Sequence, residues 1–267
     1  MEYRNQEGFE RKSGSGENII PKHSLEIEGI QELSYALEEA INRLRINVSF
    51  MGKKVRKIMV TSTFPNEGKS FIAQQLWRRM AEAGIDSVLV DADLRNSTLA
   101  DRCRMETDSK QPMGLSHYLA NDCELEDVLY ATKTEGAHII PNLNNVVNPS
   151  ILFEGDRMKS LLDELTKTHR YVFVDTPPLE LASDGQLLGT LCDGVILVVR
   201  ADSTSKRLVQ KSIHQIERSG CQLLGIVLNR AGSKKSSRYY YGKEKYGYGY
   251  YRKSDYYGKH AAENAKS

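Results

Sequence analysis

The sequence predicts an α/β fold with a mostly parallel central sheet and helices on both faces. Between residues 55 and 231, short apolar runs rich in Val and Ile alternate with longer stretches of helical periodicity. Such runs are typical of parallel strands buried on both faces, and their alternation with helices indicates crossover connections. The chain has 267 residues, of which 40% are hydrophobic and 27% charged, so it has enough apolar material for this core.

The alternation predicts five strands and three helices in this region. We expect strands at Lys57–Thr61, Ser87–Asp91, Tyr171–Asp175, Gly194–Val199 and Leu223–Leu228, and helices at Lys69–Ala83, Phe153–Leu165 and Ser205–Ser219. Ahead of them, apolar residues recur at helical spacing from Leu25 to about Phe50, which predicts one long amphipathic helix.

Composition divides the chain into three segments. Residues 1–25 are polar and are expected to form a flexible lead, residues 26–232 the folded domain with its N-terminal helix at about 27–50, and residues 233–267 a tail. The tail holds nine of the fourteen tyrosines and has no Leu, Ile, Val, Phe or Met. Its nine basic and three acidic residues give +6, which leaves −4 for the rest of a chain of net charge +2. Without aliphatic side chains the tail cannot offset the entropy of ordering, so we predict that it is disordered.

Several classes of protein and site are disfavoured by the sequence. The longest apolar run, residues 194–199, is too short to span a membrane, and the polar N-terminus is unlike a secretory signal, so we expect a cytosolic chain. The four cysteines form no CxxC pair and no two histidines form an HxxxH pair, which disfavours disulfides and a dedicated zinc or iron site. Any metal is therefore expected to have oxygen ligands.

The first predicted strand is followed by a candidate phosphate-binding loop. It ends in Asn66, Glu67, Gly68, Lys69 and Ser70, where the next helix is predicted to begin. Backbone N–H groups and a helix N-terminus surround phosphates in such loops, the Lys neutralises the β and γ oxygens, and the Ser hydroxyl reaches Mg²⁺. The usual pattern has a further Gly where this chain has Thr63, and a Gly-Lys-Ser triplet alone also occurs by chance.

Two further strand ends carry acidic residues. Asp91 and Asp93, followed by Arg95, come directly after the second strand, and Asp175 ends the third in the sequence Asp-Thr-Pro-Pro. The latter is a Walker B arrangement, in which the carboxylate holds Mg²⁺ directly or through water. An alternative is that Asp93 caps the next helix and pairs with Arg95. Because ligands of parallel sheets sit at the carboxyl ends of strands, the three ends together predict one nucleotide site.

These motifs resemble those of the bacterial tyrosine kinases (BY-kinases), specifically the cytosolic kinase chain of capsular or exopolysaccharide biosynthesis systems. The resemblance covers residues 27–257 and rests on the altered Walker A loop from Ser62 to Ser70, the acidic motif from Asp91 to Arg95, the Walker B motif from Asp175 to Pro178, and the tyrosine-rich C-terminus. It implies a P-loop NTPase fold of the partitioning-ATPase-like class. In the family's N-terminal oligomerisation motif, Glu39 and Arg45 match but Asn42 replaces the first Arg.

The resemblance implies a protein-tyrosine autokinase that uses ATP and Mg²⁺ and phosphorylates tails of neighbouring copies in trans. Its implied catalytic residues are Lys69, Asp91, Asp93 and Asp175, with Asp91 as proton acceptor and Ser70, Asp93 and Asp175 around the metal. Asn66, Glu67, Gly68, Lys69, Ser70, Arg95 and Asn229 are implied in nucleotide binding; Arg95 meets phosphates or the incoming tail, and Asn229 either reads the adenine edge or forms a strand-end turn. The implied phosphoacceptors are Tyr239, Tyr240, Tyr241, Tyr246, Tyr248, Tyr250, Tyr251, Tyr256 and Tyr257.

The partners implied by the resemblance are further copies of the chain, a membrane adaptor and a phosphatase. We expect a homo-oligomer through Glu39 and Arg45, with a ring as one form, a transmembrane activator of the polysaccharide co-polymerase type, and a cognate phosphotyrosine phosphatase. The chain is then cytoplasmic and lies at the inner face of the membrane through the adaptor. No nucleic-acid partner is expected, although a basic aromatic tail that binds nucleic acid or acidic lipid is an alternative interpretation of residues 233–267.

Two other function classes share the Walker motifs. A partitioning or cell-division-type ATPase acts as a nucleotide-dependent dimer without kinase activity, but it usually carries a Lys early in the loop, where this chain has Ser62, Thr63 and Phe64. A pseudo-enzyme that only binds nucleotide is disfavoured because all the implied catalytic side chains are present.

Overall fold

The fold is built on one sheet, to which nine strands contribute in the part of the chain that the structure describes. The structure is a computed structural model and describes residues 19–29, 33–181 and 184–231. Its contacts divide the chain into two units, Met1–Ala231 and Gly232–Ser267, and all described residues lie in the first. The predictions for the tail, including its disorder and its nine phosphoacceptor tyrosines, therefore lie outside the described residues.

The strands and helices alternate along most of the chain. The strands are β1 (His23–Ile27), β2 (Lys57–Ser62), β3 (Ser87–Asp91), β4 (Met105–Thr107), β5 (Tyr130–Ala131), β6 (Ala137–Ile140), β7 (Tyr171–Asp175), β8 (Gly194–Arg200) and β9 (Leu223–Asn229). The helices are α1 (Tyr35–Ser49), α2 (Lys69–Glu82), α3 (Leu99–Cys103), α4 (Leu115–Leu119), α5 (Leu125–Val128), α6 (Ser150–Glu154), α7 (Asp156–Thr168), α8 (Asp184–Leu191) and α9 (Lys206–Arg218).

The sheet is mostly parallel, as predicted. Its strand order is β4-β1-β5-β6-β3-β7-β2-β8-β9. The six strands from β6 to β9 in this order are parallel to one another, while β1 pairs with β4 and β5 with β6 in antiparallel fashion. The central position of β2, between β7 and β8, places the start of α2 beside the end of β7. The predicted nucleotide loop is thus at the middle of the sheet.

Helices cover both faces of the sheet, which confirms the predicted layers. Side chains of β2 alternate between two hydrophobic cores: Ile58 and Val60 face the core that includes Trp77 of α2, and Met59 faces the core that includes Leu161 of α7. Helices α1 to α3 contribute to the first core and α4 to α9 to the second. The alternation follows from the two-residue period of a strand.

The prediction of one helix from Leu25 to Phe50 was wrong at its N-terminal end. Residues His23–Ile27 form β1, in which Leu25 pairs with Thr107 of β4, and the helix begins only at Tyr35. Ser34 sets this start as the N-cap, since its Oγ accepts a hydrogen bond from the Leu37 N–H at 3.4 Å. The predicted flexible lead of residues 1–25 therefore ends in a strand, while its residues 1–18 lie outside the described part.

Two further predictions need correction. The helix expected at Phe153–Leu165 is two helices, α6 and α7, separated by Gly155 in an extended conformation with φ −78° and ψ 163°. Strand β9 is not buried on both faces, because it is the edge strand and leaves Ile226 and Leu228 47% and 59% exposed. In the described ranges, no helix combines the length and the apolar content needed to cross a membrane.

Candidate active site

The loop between β2 and α2 has the backbone of an anion site. Gly68 is the N-cap of α2 with φ +99°, and Asn66 also has a positive φ of 64°. A Cβ atom on Gly68 would lie 2.1 Å from the Asn229 side-chain nitrogen, so only Gly fits there. Within the described part of the chain, no side chain caps the start of α2. Because the first N–H groups of a helix have no intrahelical partner, this end of α2 is suited to phosphate oxygens.

Thr63 explains how the loop does without the usual early Gly. Its side chain is fully buried, and its Oγ1 lies 3.2 Å from the Ser212 hydroxyl of α9, which donates to it. Its carbonyl accepts a hydrogen bond from the Glu180 N–H at 3.3 Å. Thr63 is absent from the residues with positive φ, so this position does not require Gly. The loop is thus anchored at Thr63 and turns at Asn66 and Gly68.

Glu67 is an internal brace of the loop. Its buried carboxylate accepts hydrogen bonds from the Phe64 N–H at 2.8 Å, the Arg200 N–H at 3.2 Å and the Thr204 hydroxyl. The carboxylate therefore ties the loop to the end of β8 and to the segment that leads into α9. The loop's carbonyl at Glu67 in turn accepts a hydrogen bond from the Asn229 amide at 2.8 Å.

Lys69 lies among acidic side chains from two neighbouring strands. Its Nζ is 2.9 Å from Asp93 Oδ2 and 3.7 Å from Asp175 Oδ1, and it donates to the Ser70 hydroxyl at 3.2 Å. The three ionisable side chains of this pairing are 11%, 4% and 1% exposed. The structure therefore brings together the residues predicted at the ends of β2, β3 and β7.

Asp91 is a third buried acidic residue at this end of the sheet. It lies opposite Asp175 in the register of β3 and β7, accepts a hydrogen bond from the Ser97 hydroxyl, and also accepts from the Asp93 N–H at 3.3 Å. Burial, together with the charge of Asp175, raises the pKa of Asp91 to about 8. Burial also raises the pKa of Asp175, although Lys69 and Ser70 beside it act in the opposite direction. The cause is desolvation, which disfavours the charged form of a carboxyl group.

The residues present fit a magnesium-bound nucleotide. Asp175 Oδ1 is buried and accepts no hydrogen bond from the residues that the structure describes, so one acceptor remains for a ligand. Among the described residues no three His, Cys, Asp or Glu side chains form a ready-made metal site. Mg²⁺ does not need one, because it is usually held by one or two carboxylates together with waters and substrate phosphates. Ser70, Asp93 and Asp175 supply such a partial set.

The structure places Arg95 and Asn229 in contacts that the sequence did not predict. Arg95 does not pair with Asp93; its guanidinium makes two hydrogen bonds to Asp184 of α8, from Nε at 2.5 Å and from the second terminal nitrogen at 3.1 Å. Asn229 uses its amide nitrogen on the Glu67 carbonyl and its oxygen on the Arg230 N–H, at 2.8 Å each. It supports the loop from beside Gly68.

The predicted oligomerisation residues lie on α1. Glu39 and Arg45 are both partly exposed, and neither forms an ion pair with another described residue. Arg43 donates from Nε to the Glu39 carbonyl at 3.4 Å. These side chains remain accessible to a second copy, which the structure does not include.

Sequence reasoning missed several residues around the site. Asp184, Ser150, Ser97 and Thr204 all hydrogen-bond to a predicted site residue. Of these, only Asp184 had a detectable signal: an acidic residue shortly after the Walker B motif, at the start of an apolar helical stretch. The other three are hydroxyl residues in loops or at helix ends, where Ser and Thr are common for local reasons.

Comparisons of sequence and structure identify relatives of the chain. No family model matches the chain. The tyrosine-protein kinase CpsD of Streptococcus agalactiae is 31% identical over 205 residues, which cover 77% of this chain and 88% of CpsD. The kinase domain of the Escherichia coli tyrosine kinase ETK superposes with a TM-score of 0.68 at 29% identity, covering 77% of this chain and 80% of that domain.

A cell-division ATPase fold is also recognisable. The septum site-determining protein MinD of Pyrococcus horikoshii, in complex with Mg-ADP, has a TM-score of 0.58 at 23% identity over 68% of this chain and 72% of MinD. This likeness shows the P-loop fold alone. The identity to CpsD over most of both chains goes further, and together with the site geometry it shows that the chain belongs to the bacterial tyrosine-kinase (BY-kinase) family.

Proposed function

We propose that this tyrosine kinase transfers the γ-phosphoryl group of ATP to tyrosines of its own C-terminal tail, on neighbouring copies. The observation that supports the site is the cluster of buried carboxyl groups at the end of the phosphate loop, where Lys69 lies near Asp93 and Asp175, and Asp91 lies opposite Asp175 in the sheet. Phosphoryl transfer depends mainly on positioning and charge neutralisation, so this set of residues is sufficient for it.

The phosphate loop and α2 would bind the triphosphate. The N–H groups at the start of α2 and the Lys69 ammonium meet phosphate oxygens, and Gly68 allows close approach of the backbone. Glu67 and Asn229 act on nucleotide binding by holding the loop, and Asn66 by its turn conformation. Arg95 would act through its contact with Asp184.

The acidic residues would divide metal binding and proton transfer. Ser70, Asp93 and Asp175 hold Mg²⁺, which supplies charge neutralisation for the phosphate oxygens. Asp91 accepts the proton of the attacking tyrosine hydroxyl, whose ordinary pKa is about 10. A raised pKa of about 8 suits Asp91 to this task, because a general base works best with a pKa near the working pH.

The phosphoacceptors we propose are the nine tail tyrosines already named, from Tyr239 to Tyr257. A test in trans mixes two full-length variants: Lys69→Met, which retains its tail tyrosines, and an otherwise wild-type chain in which all nine are Phe. We expect phosphotyrosine on the Lys69→Met chain only after mixing with Mg-ATP. Absence of label after mixing, while the wild type labels itself, would show that transfer occurs within one copy.

We further propose a place for the kinase in capsular or exopolysaccharide synthesis. The relative's name places CpsD among tyrosine-protein kinases, and the resemblance of the motifs supports the same system. The expected partners are other copies of this chain through Glu39 and Arg45, a transmembrane adaptor that recruits the kinase to the inner face of the membrane and activates it, and a phosphotyrosine phosphatase. Low activity of the isolated chain, restored by the adaptor's cytosolic segment, would support the adaptor.

A further inference from the structure

Asp184 is a buried acid at the start of α8 that the proposed chemistry does not use. Its side chain is fully buried and accepts two hydrogen bonds from Arg95 and one from the Ser150 hydroxyl at 2.6 Å. Arg95 also donates to the Ser150 hydroxyl, at 3.3 Å. Burying a carboxylate is costly unless it is paired and hydrogen-bonded. The two-bond contact with a guanidinium is among the strongest of such pairings.

The pair joins two segments that carry the acidic site residues. Arg95 belongs to the loop of residues 92–98, which follows Asp91 and contains Asp93. Asp184 is the first residue of α8, the helix that comes after β7 in the chain. Between β7 and α8, Leu179 lies beside the start of the phosphate loop, since its N–H donates to the Ser62 carbonyl at 2.9 Å. The Arg95–Asp184 contact therefore connects the loop after β3 to the start of α8.

Other contacts hold the 92–98 loop on a different side. The Ser97 N–H donates to the Asn145 side chain at 3.1 Å, and the Val146 N–H donates to the Leu94 carbonyl at 2.7 Å. These bonds fix the loop toward residues 145–146. The contact with Asp184 fixes it toward α8, and thus toward the strand that carries Asp175.

We infer that Asp184 is a positioning residue of the kinase, which sets the placement of Asp93 relative to Asp175 by holding Arg95. Asp93 and Asp175 share the Lys69 ammonium, at 2.9 and 3.7 Å. A shift of the loop by a fraction of an ångström would change which of them the ammonium and the metal contact. The inference rests on the proposed nucleotide site.

The test compares Asp184→Asn with Asp163→Asn in the full-length chain. Asp163 also accepts from a lysine at 2.9 Å, Lys57, but lies at the opposite end of the sheet. We expect Asp184→Asn to lower kcat by about tenfold to 100-fold, the effect of a misplaced catalytic group, while the KM for ATP changes by less than about threefold because the phosphate loop is intact. Asp163→Asn should retain wild-type kcat and KM.

Arg95→Lys is the second variant in case Asp184→Asn does not fold. Lysine keeps the charge but loses the planar fork that makes two bonds to Asp184. It should lower kcat in the same way. The kcat of the double variant Arg95→Lys/Asp184→Asn should be no lower than that of the less active single variant, since both changes break the same contact. Additive losses in the double variant would overturn the inference.

Three readouts separate this inference from the proposed function. A wild type that places no phosphate on the tail tyrosines even with the adaptor's cytosolic segment present would refute the proposed function. An active wild type with Asp184→Asn equal to Asp163→Asn would refute only the role of Asp184. The role would also fail if Asp184→Asn merely lowered the midpoint of thermal unfolding and left the activity of each folded molecule unchanged.

Discussion

Two lysine–aspartate ion pairs with the same N–O distance lie at opposite ends of the sheet. At the amino end of β2, Lys57 Nζ is 2.9 Å from Asp163, and at the carboxyl end Lys69 Nζ is 2.9 Å from Asp93. The charge of the next ionisable group beside each pair is of opposite sign at the two ends. Asp163 has a second ammonium, that of Lys159, at 2.9 Å, whereas Lys69 has a second carboxylate, that of Asp175, at 3.7 Å.

The difference shows which end of the sheet is incomplete. Asp163 is 45% exposed, so water compensates the extra charge there, and such pairs contribute little to stability. Asp93 and Asp175 are 4% and 1% exposed, and Asp91 lies beside them. Buried carboxyl groups in excess of cations are costly to ionise, which is why the pKa values of Asp91 and Asp175 are raised. The carboxyl end therefore fits the proposed metal and nucleotide, whereas the pairs at the amino end are compensated by each other and by water.

Among substitutions at the two ends of the sheet, the largest loss of activity should come from a change of Asp91. Asp91→Asn removes the proposed proton acceptor, and we expect kcat for tail phosphorylation to fall by about 10²- to 10⁴-fold. Affinity for Mg-ADP should stay close to that of the wild type, since Asp91 is not expected to contact the nucleotide. Asp163→Asn is the control at the amino end. Equal kcat values for the two variants would exclude Asp91 as the base.

Gly68→Ala should come next, through nucleotide affinity. The new methyl group must adopt φ +99° and would lie 2.1 Å from the Asn229 amide, so the loop has to open. We expect Mg-ADP to bind about 100-fold more weakly, a loss of roughly 3 kcal/mol. Gly84→Ala is the matched control because Gly84 also has a positive φ, of 74°, but has open space around it. Calorimetric titration would contradict the account if both variants bound alike.

A smaller effect is expected from Glu67. Glu67→Gln keeps the shape of the side chain but removes its negative charge. The carboxylate accepts hydrogen bonds from the Phe64 and Arg200 N–H groups and the Thr204 hydroxyl, and these bonds are weakened without the charge. We expect the KM for ATP to rise by about tenfold, in line with the loss of charge-assisted hydrogen bonds. Glu217→Gln, at an exposed position of α9, should leave the KM unchanged. A normal KM in Glu67→Gln would make the brace dispensable.

The smallest effect is expected from two histidines near the amino ends of the strands, and it concerns the free energy of unfolding rather than activity. His169 Nε2 lies 2.9 Å from His138 Nδ1. Burial, and secondarily His138, lowers the pKa of His169 from 6.5 to about 4. Because the pKa of His169 is lower in the folded state than in the unfolded state, its contribution to the free energy of unfolding is fully present above pH 6.5. This contribution is lost as the pH falls toward 4. We expect a loss of about 1 kcal/mol at pH 5.5.

The measurement is urea unfolding at pH 7.5 and 5.5 for the wild type, His169→Gln and His214→Gln. His169→Gln should show a smaller difference between the two pH values, and His214→Gln, which changes an exposed histidine, the same difference as the wild type. An identical pH dependence in all three would show that the buried pair does not take up protons on unfolding.

Sequence alone predicted the parts of the molecule that rest on local pattern. The ends of β2, β3 and β7 were foreseeable because each strand is a short apolar run that stops at a polar motif. Their convergence followed from the parallel sheet. Strand β1 was missed because its five residues gain their strand conformation from pairing with β4 and β5, which lie about a hundred positions later in the chain.

Contacts between distant residues were beyond the sequence. Glu67 belongs to the altered Walker A loop, but its hydrogen-bond partner Thr204 lies 137 positions away. Its role as a brace therefore appears only in the folded chain. The alternative that Arg95 pairs with Asp93 was wrong, because its guanidinium makes two hydrogen bonds to Asp184, 89 positions away; its expected contact with phosphates or the incoming tail stays a prediction. Residue type predicted that these side chains matter, and tertiary structure determined what each of them contacts.

The most direct test of the account is Mg-ADP binding to two lysine variants of the same strand–helix unit. Lys69→Met removes the ammonium at the carboxyl end and Lys57→Met the one at the amino end. We predict that calorimetric titration finds binding to Lys69→Met weakened by at least about 100-fold, and wild-type affinity for Lys57→Met. Wild-type affinity in Lys69→Met, or an equal loss in both variants, would contradict the assignment of the nucleotide to the carboxyl end of the sheet.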